Sequence, residues 1–211
     1  MFEKKPTAPA RPVVQRRGLE RRKAILDAAE ALLGEQGYEA ATLKAIGGRA
    51  GIPIASIYHY FPDRYEVDAE LLRRHLDAID ALMTDGVAGP RAGTLREAVD
   101  TVVDVFLDYN RRHPSCAELW FAGRHPRLDE LVRAFGEAQA ERFRRRLVDR
   151  EFVPADTPRL ALVLAFEVGT RLLDIAFRRS PGGDDATITE ARRLVTAYLE
   201  TYAGKGTRPR G

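Results

Sequence analysis

Four stretches of this 211-residue sequence repeat the same helix-starting pattern. Each begins with a residue that can cap a helix N-terminus and has a glutamate three places later. The four stretches are Asp63–Glu66, Thr94–Glu97, Ser115–Glu118 and Thr187–Glu190. Pro126, and Pro158 after a capping Thr157, suit the first position of two further helices. Because no stretch sustains the alternation of apolar and polar residues typical of strands, the sequence predicts an all-α fold of about nine helices.

The predicted helices are separated by segments rich in glycine and proline. The first helix runs from about Leu19 to Gln36, and Gly37 ends it in a left-handed conformation. Its apolar stripe consists of Ile25, Ala28, Ala29, Leu32 and Leu33. Two short helices follow before residue 62. Longer ones are predicted at 63–84, 94–112, 115–123, 126–150, 157–179 and 186–203.

The composition is that of a folded globular protein, with 45% hydrophobic and 31% charged residues. The most apolar stretch, residues 160–177, is interrupted by charges, so we expect neither a membrane span nor a membrane partner. The interrupting residues Glu167, Arg171 and Asp174 have helical spacing and either pair along one face or anchor a ligand. A single cysteine, Cys116, excludes an internal disulfide, and without a secretion signal the expected location is the cytoplasm.

Basic charge is concentrated at the N-terminus. Residues 1–23 contain eight Lys or Arg and two Glu, whereas the net charge of the whole chain is only +3. Residues 1–17, with three prolines, are interpreted as a flexible arm. Such an arm either neutralises phosphates of a nucleic acid or is simply a solvated tail. The charge alone leaves both interpretations open.

Residues 42–61 have the pattern of two short helices joined by a sharp turn. Thr42 caps the first helix, Gly51 allows the turn, and Pro53 starts the second helix. The first helix would bury Leu43, Ile46 and Ala50, and the second would bury Ile57 and Phe61. Gly47 is explained by close packing against the second helix, whereas Gly48 has no such explanation. The arrangement is either a helix-turn-helix that enters the major groove or a plain structural corner.

The segment from about Ala24 to Leu72 resembles the DNA-binding domain of the tetracycline-repressor (TetR) family. The resemblance covers about a quarter of the chain, and the residue spacing carries it. The matching residues are Gly37, Tyr38, Thr42, Ile46, Gly47, Ala50, Gly51, Ile52, Ile57, Tyr58, Phe61 and Arg64. The resemblance implies a sequence-specific DNA-binding regulator, usually a repressor, that binds a palindromic operator in double-stranded DNA as a homodimer.

The resemblance also assigns roles within residues 42–64. Thr42 and Lys44 would contact phosphates, and Tyr58 and Arg64 would contact the backbone beside the groove. Ile54, Ala55, Ser56 and His59 would face base edges, with Tyr60 on the same surface. Because few of these side chains form hydrogen bonds, contacts from Ile54 and Ala55 to thymine methyl groups are the expected substitute.

The central helices carry more large aromatic residues than a minimal core needs. Such residues either fill the core or line a mostly apolar cavity for a small-molecule effector, which the resemblance favours. The aromatic residues proposed to bind the ligand are Phe106, Tyr109, Trp120, Phe121 and Phe135, with Glu118 and Gln139 as polar anchors.

The helix over residues 157–179 is apolar nearly all the way round, so one side needs a partner surface. In the resembled family the last two helices form a four-helix bundle with those of a second subunit. The residues proposed for dimerisation are Leu164, Val168, Leu172, Ile175, Leu194 and Tyr198.

The predicted organisation is an arm (1–17), a helix-turn-helix domain (18–64), a ligand-binding and dimerisation domain (65–204) and a disordered tail (205–211). The rival hypothesis is a constitutive or architectural DNA-binding protein without a ligand. No phosphate-binding loop or nucleophile elbow supports an enzyme, and no cofactor is expected. A metal site is not expected either, because the spacing of His113, Cys116 and His125 fits no common zinc pattern.

Overall fold

The computed structural model describes residues 11–88, 93–122 and 126–203. Within these ranges every regular element is helical, which confirms the predicted all-α class. The helices are α1 (Arg11–Gln36), α2 (Leu43–Ala50), α3 (Ile54–Tyr60), α4 (Arg64–Ala88), α5 (Leu95–Arg112), α6 (Pro114–Ala117), α7 (Pro126–Asp149), α8 (Arg159–Arg179) and α9 (Asp185–Ala203). A π-helical turn, Glu118–Ala122, follows α6.

Residue contacts divide the chain into two compact units, Met1–Leu71 and Leu72–Gly211. The first helix begins at Arg11 rather than near Leu19, so residues 11–17 are helical and the predicted arm is too long. Residues 1–10 and the predicted tail 205–211 lie outside the described residues. Helix α4 ends at Ala88, beyond the predicted residue 84.

Two of the predicted helix caps are confirmed. The Thr94 hydroxyl accepts a hydrogen bond from the Glu97 N–H at 3.2 Å, and Glu97 in turn accepts from the Gly93 N–H at 2.6 Å. The Asp63 carboxylate accepts from the Glu66 N–H at 2.9 Å. Both starts follow the expected capping chemistry.

Three other predicted caps are wrong, each because a neighbouring residue starts the helix. Helix α6 begins at Pro114, so Ser115 lies inside it, and the Ser115 hydroxyl contacts His75 instead. At α9 the carboxylate of Asp184, not Thr187, caps the helix by accepting from the Thr187 N–H at 2.8 Å. At α8 the capping position is Pro158, and Thr157 is buried before it.

The first unit buries the apolar stripe predicted for α1. Ile25, Ala28, Ala29, Leu32 and Leu33 are all buried, and α1 packs against α2, which packs against α3. From the short helices, Ile46, Ile57 and Phe61 are fully buried, while Leu43 and Ala50 are half-buried. Helices as short as α2 and α3 are marginal alone, so burial of their apolar side chains against α1 and each other is the main source of their stability.

In the second unit α8 packs between α7 and α9, and α5 packs against α9. One core cluster contains Leu147, Leu162 and Leu199, and another contains Ile79, Leu107 and Leu173. Among the described residues, no helix has the length and apolar character needed to cross a membrane.

Candidate functional site

The turn between α2 and α3 has the geometry that its sequence predicts. The Thr42 hydroxyl accepts from the Ala45 N–H at 3.2 Å and so caps α2. Gly51 ends α2 with φ 65° and ψ 28°, a left-handed conformation that favours glycine. Pro53 occupies the capping position of α3 without a side-chain hydrogen bond, so it precedes the helix rather than starting it.

Gly47 and Gly48 differ in the space around them. A Cβ atom on Gly47 would lie 3.0 Å from the carbonyl oxygen of Ile52 and 3.4 Å from Ile57 on α3. A Cβ atom on Gly48 would have no neighbour within 4 Å. Close approach to α3 therefore explains Gly47, as predicted, and nothing in the structure requires glycine at position 48.

Most residues predicted to contact DNA lie on the outer surface of the short helices. Ile54 and Tyr58 expose 41% and 55% of their surface, which leaves large apolar and aromatic groups in solvent. Ala55 and His59 on α3 are also exposed, as are Thr42 and Lys44 at the start of α2, whereas Ser56 and Tyr60 are half-buried. The ring of His59 meets the edge of Tyr60, with 5.4 Å between centroids. These residues form one surface at the α2–α3 corner, which we call the α3 surface.

Arg64 is held inside the first unit. Its Nε donates to Asp68 at 2.7 Å, and its guanidinium lies over the Tyr38 ring at 4.4 Å from the centroid. Asp68 is fully buried and also accepts from the Tyr38 hydroxyl at 3.0 Å. Burial raises the pKa of Asp68, and Arg64 and Tyr38 oppose this. Burial, and then the Asp68 carboxylate, raise the pKa of Tyr38 to about 12.

Arg22, which no sequence pattern singles out, supports the end of α3. Its guanidinium forms a fork with the Glu70 carboxylate on α4 and donates to the Tyr60 carbonyl at 3.3 Å. It also lies 4.5 Å from the centroid of the Phe61 ring. Glu70 raises the pKa of Arg22 by hydrogen bonding, against the effect of burial. Arg22 therefore ties α1 to α4 and to the last residue of α3.

The second unit contains an apolar cavity with two adjoining chambers that share Met83, Phe106, Phe166 and Thr170. The tryptophan chamber is further lined by Trp120, Val132, Phe135, Gly136 and Glu167. The valine chamber is further lined by Val99, Val102, Val103, Phe143, Ala165, Gly169, Leu173, Val195 and Leu199. An apolar cavity with a few polar groups is the usual form of a small-molecule site.

The residues predicted to bind a ligand are distributed over four places. Phe106, Trp120 and Phe135 line the tryptophan chamber. Glu118 and Phe121 line a separate groove with Phe177 and Arg178, where the Phe121 and Phe177 rings stack with centroids 5.5 Å apart. Tyr109 and Gln139 line neither chamber. The buried Gln139 amide donates to the Asp80 carboxylate.

Tyr109 belongs to a buried polar cluster that the sequence did not reveal. Its hydroxyl lies 2.8 Å from Nδ1 of His75, and the Ser115 hydroxyl lies 3.2 Å from Nε2 of the same ring. His75 is only 1% exposed. Burial, and then the charges of His113 and Arg74, lower the pKa of His75 to about 4. A neutral ring suits this arrangement because it offers one donor and one acceptor nitrogen. His125, considered with His113 and Cys116 as a metal site, lies outside the described residues.

Helix α8 carries an exposed apolar stripe. Leu160, Leu164 and Val168 expose 63%, 44% and 39% of their surface at a spacing of four residues, which places them on one face. Leu194 on α9 is 47% exposed. The other residues predicted for dimerisation, Leu172, Ile175 and Tyr198, are half-buried. On the same helix Asp174 is buried and accepts from Arg171 and Arg178, so the predicted pairing within α8 includes Asp174 and Arg171, while Glu167 lines the tryptophan chamber.

Family models match both parts of the chain. Residues 25–71 match the model described as bacterial regulatory proteins, tetR family. Residues 94–199 match the model described as tetracyclin repressor-like, C-terminal domain. The first match contains the α2–α3 turn, and the second contains most of the helices that line the cavity.

Three known proteins illustrate the similarity. The HTH-type transcriptional regulator BetI of Rhizobium meliloti is 29% identical over 196 residues, which cover 90% of this chain and 95% of BetI. The HTH-type transcriptional repressor KstR of Mycolicibacterium smegmatis is 40% identical over 99 residues, covering 47% of this chain and 48% of KstR. The crystal structure of a TetR-family transcriptional regulator from Streptomyces coelicolor has 33% identity and a TM-score of 0.65, covering 86% of this chain and 99% of that one.

Proposed function

The chain belongs to the tetR family of bacterial regulatory proteins, and from this we propose that it is a cytoplasmic, homodimeric repressor released from its operator by a small, mostly apolar effector. The observation that carries the proposal is the pairing, in one chain, of the exposed α3 surface with an apolar cavity in the second unit. The name of the relative KstR, a repressor, supports repression as the outcome.

In the proposed complex α3 enters the major groove of double-stranded DNA. Ile54 and Ala55 contact thymine methyl groups, while Ser56 and His59 supply the few hydrogen bonds to base edges. Thr42, Lys44 and Tyr58 contact the backbone, and Tyr60 supports His59 through its ring. Because Arg64 already binds Asp68 and Tyr38, its contribution to backbone contacts comes second to holding the start of α4.

Dimerisation is proposed through the apolar stripe of α8 and the neighbouring face of α9. An exposed row of leucine and valine is costly in a monomer and is buried when two copies meet about a two-fold axis. Two recognition helices then address a palindromic operator whose half-sites lie about one helical turn, roughly 34–36 Å, or more apart.

The effector is proposed to act by population shift. If it binds the DNA-incompetent state of the dimer more tightly, it changes the separation of the two recognition helices and lowers operator affinity. Linkage then requires operator DNA to weaken effector binding by the same factor.

The decisive experiment first selects the preferred DNA from a random pool and then measures its release. Operator affinity is compared with that for a scrambled sequence of equal length at a fixed, moderate salt concentration. Compounds that change Trp120 fluorescence are then titrated into the protein–operator complex. The proposal expects a palindromic site, a clear preference over scrambled DNA, and release by at least one compound.

Two outcomes would contradict parts of the proposal. Equal affinity for operator and scrambled DNA would exclude a sequence-specific regulator. Compounds that occupy the cavity but leave operator affinity unchanged would point to the rival hypothesis, a constitutive DNA-binding protein.

A further inference from the structure

Trp120, which lines the tryptophan chamber, carries a hydrogen-bond donor that has no acceptor. The indole Nε1 of Trp120 is buried, and among the residues that the structure describes nothing accepts its N–H. An indole N–H donates hydrogen bonds and cannot accept them, so only an acceptor atom can satisfy it. Most buried polar groups are satisfied, and one that is not calls for a physical explanation. A ligand in the chamber whose oxygen reached Nε1 would supply the missing acceptor.

The Trp120 ring is held in place by aromatic neighbours. Phe106 meets it at 81° with centroids 4.9 Å apart, and Phe135 meets it at 90° with centroids 5.8 Å apart. Trp120 also lies on the π-helical turn Glu118–Ala122, an irregularity that occurs often at functional sites. Both edge-to-face contacts hold the ring, so its N–H has a fixed position. A fixed donor favours recognition of an acceptor at one position.

The remaining polar groups of the chamber restrict the charge of the ligand. Among the residues that the structure describes, the polar side chains that line it besides Trp120 are Thr170 and Glu167 on α8. Glu167 is solvent-exposed, so its carboxylate accepts hydrogen bonds and repels a second carboxylate in the chamber only as far as solvent screening allows. A neutral ligand with an acceptor oxygen satisfies Trp120 without meeting this repulsion.

The adjoining valine chamber suits the apolar part of such a molecule. Thr170 lines both chambers, and beyond it the walls include Val99, Val103, Val195 and Leu199. These side chains offer neither donors nor acceptors, so the chamber favours hydrocarbon.

We propose that the effector is a neutral, largely hydrocarbon molecule with one carbonyl-type acceptor that binds Trp120 Nε1, its tail lying in the valine chamber. This inference rests on the proposed function, because it names the chemical class of effector for the same cavity. Carboxylates of the same length are expected to bind more weakly.

The test compares three probes of matched length on the full-length protein. 2-Octanone carries the acceptor, 2-methyl-1-octene replaces its oxygen by a methylene group, and octanoate adds a negative charge. Because Trp120 is the only tryptophan, the ¹⁵N-labelled protein has a single indole N–H resonance, which reports directly on this hydrogen bond. Dissociation constants are measured by calorimetry for the wild type, Trp120→Phe and Glu167→Gln.

We expect 2-octanone to bind about tenfold more tightly than 2-methyl-1-octene, as one hydrogen bond to a buried donor would give. It should shift the indole proton downfield, which the alkene should not do. Trp120→Phe should remove the preference for the ketone and retain binding of the alkene. Glu167→Gln should reduce the difference in dissociation constant between 2-octanone and octanoate.

Equal binding of ketone and alkene to the wild type would overturn the inference, as would an indole resonance that does not move when the ketone binds. The inference is also wrong if octanoate binds most tightly or if none of the three probes binds. The resonance is measured on the wild type, so the test remains valid even if the Trp120→Phe variant does not fold. Operator release is measured separately, so a repressor with a different class of effector would be recognised as such.

Discussion

Arg22 on α1 donates from its Nε to Oε1 of Glu70 on α4 at 2.8 Å, although the two lie 48 positions apart in sequence. The same guanidinium reaches the Tyr60 carbonyl at the end of α3 and covers the Phe61 ring. One side chain thus joins three helices of the first unit, and its contacts hold the C-terminal end of α3 in place.

Replacing Arg22 by Gln should therefore destabilise the first unit and weaken operator binding. The expected loss is about 1 kcal/mol of unfolding free energy, because the fork is partly solvated and exposed ion pairs contribute little. Urea unfolding and DNA titration measure the two effects. Arg16→Gln is the matched control, since Arg16 pairs with Glu20 while both side chains are largely exposed. Equal stability of the two variants would show that the contacts of Arg22 contribute nothing.

The two adjacent glycines of α2 should respond differently to alanine. Gly48→Ala meets open space and should raise the free energy of unfolding by about 1 kcal/mol through helix propensity. Gly47→Ala gains the same propensity but places its Cβ 3.0 Å from the Ile52 carbonyl, so the turn must shift. Thermal unfolding of both variants checks this, and the explanation of Gly47 fails if it gains as much stability as Gly48→Ala.

The helices were predictable from sequence because their signals are local. The stripe from Ile25 to Leu33 repeats at helical spacing, and burial follows directly from that repeat. The turn at Gly51 was equally predictable, because a glycine between two short helical patterns readily adopts the left-handed conformation that ends the first helix.

The contacts of individual polar residues were not predictable in the same way. Ser115 has the sequence of a cap, but its hydroxyl contacts His75, which lies 40 positions away. The position of Arg64 in the motif predicts a contact with DNA, whereas Asp68 one turn later offers a buried carboxylate. The i, i+4 spacing of that pair was visible in the sequence, but the burial of Asp68, which makes loss of its partner costly, depends on tertiary packing.

Tyr38 should make the protein less stable at alkaline pH. Its pKa is raised to about 12, so its contribution is fully present below pH 10, the ordinary tyrosine value, and is lost as the pH rises through 12. By pH 11.5 the wild type should lose about 2 kcal/mol more unfolding free energy than Tyr38→Phe, which cannot ionise. Urea unfolding between pH 8 and 11.5 measures the difference. Tyr58→Phe, which alters an exposed ring, is the control and should follow the wild type.

His75 should make the protein less stable at acid pH. Its pKa is lowered to about 4, so its contribution is fully present above pH 6.5 and is lost as the pH falls through 4. Between pH 7 and 4.5 the wild type should lose about 2 to 3 kcal/mol more than His75→Gln. The measurement is urea unfolding across this range, with His59→Gln on the exposed α3 surface as the control. Parallel pH profiles for the wild type and His75→Gln would mean that His75 accepts a proton as readily when folded as when unfolded.

The apolar stripe of α8 provides the test of dimerisation. Leu164 is 44% exposed and lies between Leu160 and Val168, so a lysine there would place a charge in the centre of the proposed interface. Leu164→Lys should raise the dimer dissociation constant roughly 100-fold or more, equivalent to about 3 kcal/mol. Leu19→Lys is the matched control, because Leu19 is an exposed leucine, 64% accessible, in the first unit.

Sedimentation equilibrium at micromolar concentration distinguishes the outcomes. The wild type and Leu19→Lys should be dimers, while Leu164→Lys should dissociate and bind a full palindrome no more tightly than a single half-site. Since each monomer keeps its own α3 surface, half-site binding should survive the substitution. A wild-type monomer at this concentration would contradict the proposed dimer, and a Leu164→Lys variant that dimerises as tightly as the control would place the interface elsewhere.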